Sequence, residues 1–118
     1  MRTRIIVFSF LLAALGNVAA LGHAVLQSAN PLVGSTVASA PREVSLTFSQ
    51  NLEPAFSSVE VTDANGARVD RGKPQINGNT MRAGLKSLPP GTYRVHWHVL
   101  SVDTHKTEGS FTFRVGGT

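Results

Sequence analysis

The stretch GTYRVHWHV, residues 91–99, decides the fold. It stands directly behind Pro89 and Pro90 and sets Tyr93, Val95, Trp97 and Val99 against Arg94, His96 and His98. A side-chain period of two turns one set toward a core and the other toward water, the mark of a half-buried β-strand.

The same alternation recurs outward in both directions. EVSLTFS (43–49) sets Val44, Leu46 and Phe48 against Glu43, Ser45, Thr47 and Ser49, and GSFTFRV (109–115) repeats the period with Phe111, Phe113 and Val115. SVEVTD (58–63) alternates Val59 and Val61 with polar neighbours and runs to the hairpin dipeptide Asn65-Gly66. AVLQSA (24–29) opens as an apolar strand that Asn30-Pro31 and Gly34 stop, and TMRAGL (80–85) is a less regular strand behind the turn-rich NGN. NLEPAF (51–56) hints only at a helical turn, kept short by Pro54. Six or seven short strands at this spacing predict an all-β fold, a small antiparallel Greek-key β-sandwich or barrel of immunoglobulin-like or cupredoxin-like size.

At 118 residues the chain suits a single domain. Residues 1–22 read as a secretory signal peptide, with the basic start MRTR followed by the apolar run IIVFSFLLAAL. That run is too short to span a bilayer, which takes about 20 residues. Small residues at Ala20 and Gly22 favour cleavage before His23; a cut after Ala20 is the alternative, with the bulkier Val18 in the third-last place. The working domain is then residues 23–118, a protein that does not span the membrane.

Losing Arg2 and Arg4 leaves nine Lys and Arg against seven Asp and Glu, a net charge of +2 with neutral histidines. The basic residues are scattered along the chain, without a run resembling a nucleic-acid footprint, so no nucleic-acid partner is expected. Cysteine is absent, which excludes zinc-finger, iron–sulfur and thiol-redox chemistry and leaves packing to hold the exported fold.

Four histidines are the residues that could carry chemistry. His96 and His98 share the strand face opposite Trp97; two residues apart they could reach one metal ion, but with no third ligand nearby they read as exposed or locally bonded side chains. His105 follows Asp103 in the stretch SVDTHKTEG (101–109), just beyond a core strand. Taken alone, D-x-H is either a solvated turn or, in an extended segment, two donors on one side. His23 changes that weighing. A free N-terminal histidine offers its amine and its ring Nδ1 to one metal; His105 adds a third nitrogen and Asp103 an oxygen, the donor set that Cu(II) prefers. A frayed first residue is the alternative for His23. Cleavage would create this site, because the nitrogen of His23 is otherwise an amide. Its ligands must be deprotonated, so affinity should fall with pH.

The segments HAVLQSANPLVGSTV, VSLTFSQNLEPAFSSVEV and LPPGTYRVHWHVLSVDTHKTEGSFTFRV together resemble the CopC family of periplasmic copper-resistance proteins over essentially all of residues 23–118. The resemblance implies a small Greek-key β-barrel or sandwich in the periplasm. It also implies one Cu(II) held through the amine and ring of His23 with Asp103 and His105, and an inner-membrane copper transporter as partner. Two departures stand out. Mature residues include one methionine, Met81, so the methionine-rich Cu(I) loop of some members is not expected. Gln50 stands where relatives often carry a glutamate after FS, and it can orient a ligand without adding charge.

The leading expectation is a non-enzymatic, monomeric copper-binding protein that sequesters Cu(II) or passes it on. A copper-dependent oxidative enzyme built on the N-terminal histidine, and a β-sandwich module for protein contacts, are the alternatives.

Overall fold

A computed structural model of the chain describes residues 24–117. The leader, its cleavage point and His23 lie outside the described residues. Eight strands follow in order: β1 Leu26–Asn30, β2 Thr36–Val37, β3 Glu43–Phe48, β4 Ser58–Thr62, β5 Asp70–Asn77, β6 Thr80–Leu85, β7 Gly91–Leu100 and β8 Lys106–Val115. NLEPAF supplies one 3-10 turn, Pro54–Phe56, as expected. Among the described residues no helix is long and apolar enough to cross a membrane.

The strands form two four-stranded sheets, ordered β1-β3-β6-β5 and β2-β8-β7-β4. Every named pairing is antiparallel except the two-residue contact of β2 with β8, which is parallel. The chain changes sheet at every connection from β1 to β5 and again between β6 and β7, staying within one sheet only from β5 to β6 and from β7 to β8. Strands of one sheet are therefore brought together by connections that cross to the other, in the Greek-key manner anticipated, and the architecture is the sandwich rather than the closed barrel.

The alternation read in the sequence becomes the core. Val44, Leu46 and Phe48 on β3, Val59 and Val61 on β4, and Tyr93, Val95, Trp97 and Val99 on β7 are all buried, as are Phe111, Phe113 and Val115 on β8. Edge-on packing of Phe48 against Trp97, with centroids 5.1 Å apart at 75°, joins the two sheets. Within the second sheet Tyr93 stacks on Phe113, and the Tyr93 hydroxyl donates to the Pro89 carbonyl. Met81 sits in the same core, fully buried on β6.

Two strands were not legible in the sequence. β5 carries Gly72, Lys73 and Pro74, which break any apolar alternation, and its register on β6 shifts between Arg71 and Gln75. β2 is too short to show a period. Two strands also start elsewhere than the sequence reading placed them. β8 begins at Lys106, because Lys106 pairs with Leu100 as soon as the chain has turned. β1 begins at Leu26, because Ala24 and Val25 bond elsewhere, as described below.

Trp97 lies opposite Gly109 in the β7–β8 register. A Cβ on Gly109 would stand 2.6 Å from the Trp97 ring. The indole therefore fills the space that a side chain would need. Asp70 forms a polar link between the sheets: its buried carboxylate takes two bonds from Arg68, at 2.8 and 2.7 Å, and the β4 amide of Val61, at 2.9 Å. Burial alone would raise its pKa, but the Arg68 and Val61 bonds outweigh burial and hold the carboxyl below its ordinary value.

Gly109→Ala should cost about 1–3 kcal/mol in urea unfolding, the usual penalty for overpacking; an unchanged midpoint would show that Trp97 moves aside freely. For Asp70 the sign follows from a folded pKa below the unfolded one. Its contribution is complete above about pH 4 and is lost as pH falls through the folded value. Asp70→Asn should lower stability by about 1–3 kcal/mol at neutral pH and shrink the loss seen on acidification. An identical acid dependence in the variant would assign that loss to other carboxylates.

Candidate metal centre

β7 runs into a turn that its own next residue organises. Ser101 is fully buried and bridges to Leu52. Its amide donates to the His105 carbonyl at 3.0 Å, and its hydroxyl contacts the Asp103 carboxylate, the His105 carbonyl at 3.2 Å and the His105 amide at 3.3 Å. The Thr104 amide closes on the Ser101 carbonyl at 2.8 Å, and the Val102 amide donates to the Asn51 carbonyl at 3.0 Å. Thr104 takes φ of +71°, a left-handed conformation that costs a β-branched residue about 1–2 kcal/mol. The bonds around Ser101 hold it there.

This turn brings the two predicted ligands together. His105 Nδ1 is 3.4 Å from Asp103 Oδ1, and the side chains are 47% and 39% exposed, so an ion can reach both from solvent. The extended segment assumed from the D-x-H spacing is replaced by a tight turn; the side chains share a side because Thr104 reverses the backbone. The Ser101 hydroxyl, chiefly, holds the Asp103 carboxyl below its ordinary pKa; slight desolvation opposes this and His105 adds to it. Asp103 is thus an anion across the neutral range.

The start of the described chain is anchored at the same end. Ala24 is buried, and its carbonyl accepts the Thr107 hydroxyl at 2.9 Å. Val25 exchanges bonds with Ser49: its amide donates to the Ser49 hydroxyl at 2.8 Å, and its carbonyl accepts the Ser49 amide at 2.9 Å. Gln50 is half-buried between Ser49, which holds the chain start, and Asn51, which holds the turn. His23, the third predicted ligand residue, lies outside the described residues. Among the described residues no group of three or more His, Asp or Glu side chains could hold a metal.

His96 and His98 project from the outer face of the second sheet with ring centroids 5.5 Å apart. Each has a local partner: His96 Nε2 lies 3.1 Å from Glu108 Oε2, and the His98 ring lies 3.1–3.2 Å from the Ser58 hydroxyl. They read as locally bonded surface side chains.

Sequence reading missed Ser101, Ser49 and Thr107, which position the site without being ligands. A serine two residues before an aspartate at a strand end was the available signal, since hydroxyls bond their own backbone at such turns. Nothing local marks Thr107, whose partner lies 83 residues away.

The profile of the CopC family, described as a CopC domain, matches residues 26–116. Protein YobA of Escherichia coli (strain K12) is 36% identical over 97 residues, covering 79% of this chain and 78% of YobA. Copper transport protein CutJ of Bacillus subtilis (strain 168) is 35% identical over 98 residues, covering 80% of this chain but 18% of CutJ. The crystal structure of PcoC, a methionine-rich copper resistance protein from Escherichia coli, aligns with a TM-score of 0.71 at 35% identity, covering 80% of this chain and 99% of PcoC.

Ser101→Ala should remove the buried hydroxyl from three partners and destabilise the fold by about 1–3 kcal/mol. The Asp103 pKa, followed by carboxyl NMR, should rise toward its ordinary value. Retention of the parent value would mean that another group controls Asp103.

Proposed function

Because the chain belongs to the CopC family, we propose that it is an exported, periplasmic, non-enzymatic protein that binds one Cu(II) per mature chain and sequesters it or hands it to an inner-membrane copper transporter. Residues 1–22 are in this reading the signal peptide, and residues 23–118 the copper-binding β-domain. The ligands are the amine and ring of His23 with the side chains of Asp103 and His105.

One observation carries the ligand set. The carbonyl of Ala24, the residue after His23, is bonded to Thr107, two residues beyond His105. A chain start held there is within a short reach of the Asp103–His105 turn. Its chemistry is consistent with oxidised copper: nitrogen and carboxylate donors suit Cu(II), and a soft thioether for Cu(I) is not offered, since Met81 is buried in the core. The match of this whole domain to a small part of a protein named for copper transport supports delivery to a transporter.

Titration of the exported protein should show one Cu(II) with a tetragonal, nitrogen-coupled electron paramagnetic resonance signal, weakening as pH falls through the amine and imidazole range of about 8 to 6.5. His105→Ala should weaken binding by on the order of a hundredfold or more, at least the loss seen for groups that merely support a ligand. One residue added before His23 should weaken it comparably. Parent-like affinity in either variant overturns the ligand set, and copper-dependent peroxide production with a reductant overturns the non-enzymatic reading.

A further inference from the structure

Arg42, Arg71, Lys73, Arg82 and Lys86 are dispersed in the sequence, yet the fold gathers them on the outer side of the β1-β3-β6-β5 sheet and its rim. They line two adjoining hollows of about 580 and 440 Å³, which share Arg42 and Arg71. Gly84, opposite both Glu43 and Arg71 in the ladder, leaves the floor between them without a side chain. All five cations are exposed, and among the described residues none of them forms an ion pair. Among the described residues Glu43 is the only acidic one lining either hollow.

We propose that this face rests on an anionic phospholipid surface. Protein interfaces are built around a desolvated core of aromatic and other apolar side chains. Among the described residues there is none here: the exposed large apolar ones are Val25, Leu32, Val33, Phe56 and Val102, and neither hollow includes them. Long, unpaired cations spread over a shallow face match a sheet of negative headgroups, each strengthening adsorption by about fivefold. The attraction is electrostatic and vanishes beyond a Debye length, so it is reversible by salt.

The geometry also says what the membrane would leave uncovered. Arg71 pairs with Gly84 at one end of the β5–β6 hairpin. The 101–105 turn is tied to the other end, through Val102 to Asn51 and through Leu52 to the Gly78 carbonyl. The Asp103–His105 turn follows β7 of the other sheet, so a chain resting on its cationic face leaves the turn uncovered at a strand end. The inference does not require that turn to bind copper.

The test sediments the exported protein with vesicles of phosphatidylcholine alone or with one third phosphatidylglycerol, at about 20 mM and about 500 mM salt. Binding is expected only to the anionic vesicles and only at low salt. Arg71→Gln, Lys73→Gln and Arg82→Gln combined should weaken it about a hundredfold, while Arg94→Gln with Arg114→Gln on the other sheet should leave it intact. Should the triple variant misfold, Arg71→Gln alone should still cost about fivefold. Equal binding to neutral vesicles, no binding to anionic ones, or parent-like binding by the first set of variants overturns the proposal. Retention on an immobilised acidic peptide without vesicle binding also overturns it and assigns the face to a protein partner.

Discussion

The buried hydroxyl of Ser101 is the contact on which the candidate site depends. β7 is locked into the core by Tyr93, Val95, Trp97 and Val99, and Ser101 is the first residue past it, still buried but polar. A hydroxyl without water must find protein partners, and those within reach are Asp103 and the backbone of His105. Satisfying it folds the next four residues into a turn and holds Thr104 in a conformation it would otherwise avoid. Core packing thus reaches the Asp103–His105 pair through one side chain.

The start of the folded domain and the turn after β7 serve the same pole. The chain start is stitched between β3 and β8 by Ser49 and Thr107, and the turn after β7 is stitched to Asn51. These bonds join segments far apart in sequence, so the pole forms only when the sandwich is complete. The outer side and rim of the β1-β3-β6-β5 sheet carry Arg42, Arg71, Lys73, Arg82 and Lys86, which gives the molecule a chemical direction as well as a shape.

How much of this was legible follows from where the information resides. Strands β3, β4, β7 and β8 have one wet and one dry face, and a period of two records that directly in residue type. β5 was silent because an edge strand with Gly72 and Pro74 has little dry face to record. Asp103 and His105 could be named as a pair from spacing, but the spacing argument supposed an extended backbone where the chain makes a tight turn. The cationic face was invisible in one dimension, because register alone sets Arg71 beside Gly84 and Arg82 beside Gln75. Ser49 and Thr107 are ordinary residues whose role exists only in three dimensions.

The irregularity of β5 has a consequence for how the protein behaves at high concentration. β5 is an outer strand of its sheet, and an open strand edge is a template on which another chain can add. Lys73, Pro74 and the break in ladder register between Arg71 and Gln75 spoil that template, while the other sheet ends on a β2 of only two residues. A domain without disulfides, crowded among its own copies, is in this way shielded from fibre growth along those two borders.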